Sequence, residues 1–249
     1  MVGQGKKLGL VVAAVLALGA LAATTASAHQ LTYRTCVKAA KVGKFYTGKY
    51  SDKECKEVNA KGEGKYEAQP VAEGAPYTGK DKAVVITAAG KTVTCKKGTE
   101  AGEYVAEKVA TEEFTFSGCS TGKKEACQSP SAAAGVIASS AAKTKLVYLD
   151  AAETQMGVFV IPPQPMFEYT CGATAVAIEG RLVGSYENTK KGPKLTFATS
   201  GGKQQQQFFY AEESEEEAFG PFTLYTEPGE AEATISVVVE NGPKGVSAA

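Results

Sequence analysis

AVVITAAGKTVTCK, residues 83–96, is the stretch whose reading decides the fold class. Val84, Val85 and Ile86 run into Thr87, a short AAGK follows, and the chain resumes with Thr92, Val93, Thr94 and Cys95. β-branched side chains lose rotamer freedom in a helix and pack well on a pleated surface. Two such runs joined by a short segment containing Gly read as an antiparallel hairpin. Gly90 marks the turn, because glycine takes positive φ without steric cost. The same grammar continues downstream and predicts strands at 113–117, 145–149, 157–161, 166–171, 173–178, 194–199, 205–210, 221–226 and 233–240. In TISVVVE, residues 234–240, Ile235, Val237 and Val239 fall on one face and Ser236 and Val238 on the other. SAAAGVIASSAA, residues 131–142, is a helical candidate weakened by Gly135, the β-branched pair and the serines. With no sustained 3.6-residue period, the expected fold is all-β, an antiparallel sandwich or barrel-like domain.

Upstream of that domain, the N-terminus has the three parts of an export signal. Lys6 and Lys7 provide the charge, the uncharged LGLVVAAVLALGALAA at residues 8–23 the apolar stretch, and Ala26-Ser27-Ala28 the small-residue cleavage site. The apolar stretch is shorter than the ~20 residues a spanning helix needs. A helical signal peptide over residues 1–28 is therefore expected, cleaved before His29, with no membrane association of the mature chain. Residues 29–76 are rich in Lys, Gly and Tyr and read as a small disulfide-stapled module, residues 69–76 as a linker, and residues 77–249 as the antiparallel β domain.

The six cysteines, Cys36, Cys55, Cys95, Cys119, Cys127 and Cys171, all follow the leader, and in an oxidising compartment they read as three disulfides. No C-x-x-C knuckle and only one histidine argue against zinc. Proximity along the chain favours Cys36 with Cys55 and Cys119 with Cys127, leaving Cys95 with Cys171.

The net charge is zero, but unevenly spread. Residues 29–100 carry 14 Lys and Arg against 8 Asp and Glu, and residues 101–249 carry 11 against 19. A basic N-terminal face would attract an anionic or carbohydrate polymer of the cell envelope. The candidate surface is the aromatic and lysine set Lys44, Tyr46, Lys49, Tyr50 and Tyr66. With only Arg34 and Arg181 as arginines, nucleic acid is not an expected partner.

Catalytic patterns fail one by one. His29, the only histidine, cannot complete a copper site built on two imidazoles, and a Ser-His-Asp or Cys-His mechanism loses its base while disulfides consume the thiols. The G-x-x-x-x-G-K match at residues 74–80 is followed by Asp81 where a nucleotide loop needs Ser or Thr. Ser120 with Lys123 and Ser140 with Lys143 fit S-x-x-K without a companion K-T-G. Asp52, Asp81 and Asp150 are the only aspartates, too few for a calcium loop. No catalytic residue, metal ligand or cofactor is therefore assigned. Glycoside hydrolysis is the enzymatic alternative, since it needs only two carboxylates about 5 to 10 Å apart. No glutamate pair stands out from the sequence. A hydrolase should bring two carboxylates together in a deep cleft with at least one raised pKa, and a binder should present a shallow aromatic and lysine surface.

CVKAAKVGKFYTGKYSDKECKEVNAKGEGKYE at residues 36–67, KTVTCKK at 91–97, FTFSGC at 114–119 and Cys127 ahead of Ser129-Pro130 resemble a group of exported bacterial proteins with cysteines at similar places. The resemblance implies a secreted, cysteine-stapled β protein and carries no site residues with it. The expected function is that of an exported, non-enzymatic envelope or extracellular binding or structural component.

Overall fold

The computed structural model of the chain describes residues 31–82, 84–150, 152, 154–189, 192–201, 203–204, 224–227, 231–240 and 246–248. The signal peptide expected at 1–28, His29, the strand expected at 205–210 and the acidic run at 213–217 lie outside them. Strands of three residues or more are, in chain order, β1 (Tyr33–Lys38), β2 (Tyr66–Pro70), β3 (Pro76–Asp81), β4 (Val84–Ala88), β5 (Lys91–Cys95), β6 (Lys97–Ala106), β7 (Val109–Ser117), β8 (Val136–Ala138), β9 (Ala142–Tyr148), β10 (Met156–Ile161), β11 (Phe167–Cys171), β12 (Thr174–Gly180), β13 (Leu182–Thr189), β14 (Gly192–Phe197), β15 (Leu224–Glu227), β16 (Ala231–Glu240) and β17 (Val246–Ala248). No helix occurs among the described residues, so the all-β reading holds.

The hairpin of residues 83–96 is present as β4 and β5. Ala89 and Gly90 both take positive φ, at 49° and 70°, the turn conformation whose twist matches that of the flanking strands. Val84, Ile86 and Ala88 face the core while Val85 and Thr87 face outward, as alternation requires.

Eight strands pair antiparallel in the order β3-β6-β7-β9-β10-β13-β14-β16. β16 then pairs back onto β3 through Val239 opposite Asp81 and Glu240 opposite Lys80. The curled sheet thus returns to its first strand, which leaves no free edge along that seam. β16 is long enough to serve a second sheet as well. Its residues Thr234, Ile235 and Ser236 pair with β4, which leads to β5 and Ser120–Thr121. On its other side β15, β12, β11 and Cys127–Gln128 follow.

Several expectations change. Residues 131–142 form a turn and the short strand β8 instead of a helix, and Ile137 is fully buried opposite Phe116. Cys36 and Cys55 are joined, but the other bridges are Cys95–Cys119 and Cys127–Cys171. The reason is register. Cys127 lies directly opposite Cys171, and Ser120 opposite Thr94 sets Cys119 beside Cys95. Pairing across strands outranks nearness along the chain.

Residues 69–76 are not a free connector. Gln69 and Pro70 end β2, Val71 and Ala75 pack on the core, and Pro76 opens β3. Packing is also continuous across residue 76: Leu31 and Tyr33 belong to the same buried cluster as the barrel interior. The Tyr33 amide donates to the Glu107 carbonyl at 2.7 Å, and the Val71 amide to the Tyr33 carbonyl at 3.0 Å. These bonds hold the N-terminal segment across one end of the barrel.

Candidate functional site

The barrel interior has two characters, and the polar one is built from glycine and acid in alternation. On β3 the inward positions are Tyr77, Gly79 and Asp81; on β6 they are Gly98, Glu100, Gly102 and Tyr104. Register sets Gly79 opposite Glu100, Gly98 opposite Asp81, and Gly102 opposite Glu112 of β7. A Cβ at Gly79 would overlap the Glu100 carboxyl, and one at Gly98 would overlap the Asp81 carboxyl. A Cβ at Gly102 would overlap the Thr111 carbonyl oxygen and come within 2.7 Å of the Tyr77 phenol. Gly79 and Gly98 therefore clear the space into which the acid across the strand folds, and Gly102 admits both the β7 backbone and a phenol. The tetrapeptide YTGK, present at residues 46–49 and 77–80, uses its glycine differently in each copy. Gly48 admits the Tyr66 backbone and Gly79 admits a carboxyl.

Glu100 and Glu112 are 5 % and 3 % exposed and hydrogen-bond each other. Beside them stand Tyr33, Tyr77, Tyr104 and Tyr186, with the Tyr33 and Tyr77 rings 4.8 and 5.0 Å from that of Tyr104. The Tyr77 hydroxyl donates to the Thr111 carbonyl at 2.8 Å. Tyr33 hydrogen-bonds Thr144, whose hydroxyl donates to the Ala110 carbonyl at 3.2 Å. The Tyr186 hydroxyl and the Glu100 Oε2 are buried without a partner, as are both carboxyl oxygens of Asp81. The four tyrosines, Glu100, Glu112 and Thr144, with Val158, Pro193 and Leu195, line a cavity with room for on the order of three waters.

Burial removes the solvation that a carboxylate needs, and no cation of the chain stands among these lining residues to replace it. Burial pushes the Glu100 carboxyl well up, and the neighbouring Glu112 charge adds to the rise. Burial likewise raises Glu112, with Asp81 contributing. The pair is best described as sharing one proton, Glu100 donating and Glu112 accepting. Asp81 is raised to about 7 by burial and by Glu100. Burial also keeps Tyr33, Tyr104 and Tyr186 protonated.

The paired carboxylates that sequence reading did not single out are thus Glu100 and Glu112. Their signal was the period-two run Gly98, Glu100, Gly102, Tyr104. Among the described residues, no three His, Cys, Asp or Glu side chains are placed to hold a metal ion.

The expected surface is divided. Lys41 and Lys38 stand over the Tyr46 ring, with Nζ 4.8 and 5.8 Å from its centroid, and Lys49 stands 5.9 Å from that of Tyr50. Tyr50 and Tyr66 exchange backbone hydrogen bonds of 2.9 and 3.0 Å and are both half-buried. Lys44 and Lys49 are exposed. The rings are therefore already in use by the chain's own lysines and strands, and the open apolar groups of this module are Val42, Phe45 and Val58.

No protein-family model, curated protein or solved structure matches the chain. The three disulfides fit an extracellular or otherwise oxidising environment.

Proposed function

We propose that the chain is an exported, non-catalytic binding protein of the bacterial cell envelope or extracellular space, and that its barrel interior receives a small amine-bearing ligand. The observation that carries the reading is the Glu100 Oε2, buried without a hydrogen-bond partner and facing the tyrosine-walled cavity. A protonated amine supplies what this site lacks. It donates to Glu100, Glu112 and the Tyr186 hydroxyl, its charge offsets that of the acid pair, and the tyrosine faces attract a cation. An anion would meet two acids, and a neutral alcohol would leave the carboxyl charge uncompensated. The small cavity admits a head group, so only that part of a larger amine would enter.

The hydrolase reading is favoured by one observation, the convergence of two carboxyls with raised pKa in a buried cavity. The distance between them argues the other way. Carboxyls that hydrogen-bond each other cannot flank a glycosidic bond, for which the two groups stand about 5 Å or more apart.

Calorimetric titration of the mature protein with methylammonium and ethanolamine at pH 8, with ethylene glycol as the neutral control, tests the proposal. Amine binding that Glu112→Gln abolishes and Tyr186→Phe weakens is the expected result. Equal affinity for ethylene glycol, or no amine binding in the folded protein, would overturn it. Release of reducing sugar from an envelope polysaccharide, lost in Glu112→Gln, would establish the hydrolase instead.

A further inference from the structure

Among the described residues, the most exposed large apolar side chains are Val42, Phe45 and Val58, all on the stapled module. Lys41–Val42 and Phe45–Tyr46 pair antiparallel about Gly43 and Lys44, and Gly43 takes φ 63° to close the turn. Val42 and Phe45 face each other across the hairpin and are 70 % and 61 % exposed. Single exposed apolar residues are ordinary on a protein surface. A cross-strand pair at a hairpin tip, both members outward, is not accounted for by packing.

The charge around the tip has one sign along the chain. Residues 33–51 contain Arg34, Lys38, Lys41, Lys44 and Lys49 and no acid. Lys38 and Lys41 are held beside the hairpin by the Tyr46 ring. The nearest acid contact shown is Glu67, which accepts the Lys49 backbone amide at 2.8 Å. Apolar tip and cationic collar together match the layering of an anionic bilayer surface: acyl chains below, phosphate groups above. Lysine stems can lie along the apolar region while their ammonium groups stay at the headgroups. A soluble polyanion would use the lysines and leave Val42 and Phe45 in water.

Against the expectation that the mature chain has no membrane association, we infer that the Lys41–Tyr46 hairpin is a docking point for an anionic lipid surface. Val42 and Phe45 enter the interface, and Lys38, Lys41 and Lys44 meet the phosphates. This reading is independent of the barrel ligand.

Cosedimentation of the mature protein with phosphatidylcholine vesicles containing about 30 mol % phosphatidylglycerol tests it. Binding should be strong at low salt, fall in about 0.5 M salt, and be absent on pure phosphatidylcholine. The double variant Val42→Ser, Phe45→Ser should lose on the order of tenfold or more in partitioning. Lys44→Glu should lose less, and both variants should keep the parental melting temperature, since neither touches the core. Failure to bind the anionic vesicles would overturn the inference. So would undiminished vesicle binding by the double variant, or tighter binding to soluble polyphosphate than to vesicles, which would assign the lysines to a polymer.

Discussion

The barrel interior and the sheet beside it share strand β16 and one buried cluster, yet they are held together by opposite means. Where the second sheet meets the end of barrel strand β7, Phe116 of β7 stacks on Phe167 at 5.6 Å, Ile86, Ile137 and Ile178 fill the spaces, and two disulfides tie neighbouring segments together. In the barrel the same alternation delivers Asp81, Glu100, Glu112 and four tyrosines, with glycines opposite the acids. The first region gains stability from dispersion and burial of apolar area. The second gives up stability by burying carboxyl groups without counter-charge. A fold that can tolerate the second needs the first, and binding sites are commonly where that local sacrifice falls.

The largest effect should come from breaking the apolar side. Phe116→Ala removes a fully buried ring and should cost about 3 to 5 kcal/mol in urea unfolding. Loss of less than about 1 kcal/mol would mean that the two regions do not share stability as described. Next is Gly79→Ala on the polar side. Its new methyl would overlap the Glu100 carboxyl, which must move or displace β3, so a cost of about 1 to 3 kcal/mol is expected. Gly79→Ala combined with Glu100→Ala should recover part of that loss, because the overlapping group is then gone. Recovery would be absent if the glycine served only the turn chemistry of TGK.

The contrast also explains what could be read from the sequence. β4, β5, β10, β11 and β16 put Val, Ile, Phe or Tyr on their inward faces, and their positions were expected from alternation. β3, β6 and β13 went unread because glycine and acid occupy inward positions and suppress the apolar period. Yet these strands build the site: Tyr77 and Asp81 come from β3, Glu100 and Tyr104 from β6, and Tyr186 from β13. The site was hidden for the same reason that it is a site. The disulfides show a different limit, since which cysteines meet depends on strand register and not on their spacing. On the stapled module the residue types Lys44, Tyr46 and Lys49 were visible, but their exposure was not. The sequence could not tell that Tyr46 turns toward lysines while Phe45 turns outward.

The smallest effect, and the one that tests the acids most directly, is the slope of stability against pH. Asp81 titrates near 4 in the unfolded chain and at about 7 in the folded one. Between those values the unfolded state has released a proton that the folded state keeps. Stability from this group is therefore complete below about pH 4 and is lost as pH rises through about 7. Glu100 and Glu112 act in the same direction, because burial raises both. The melting temperature should consequently fall between pH 5 and pH 8, and Asp81→Asn should flatten that fall whatever its effect on absolute stability. A melting temperature that rises over this interval would show that the acids are charged and compensated in the folded protein. Methylammonium should offset the alkaline loss in the parent and not in Glu112→Gln, because a bound cation compensates the charge that pH creates. If it protects both proteins equally, the stabilisation is a general salt effect and the acid pair has no part in it.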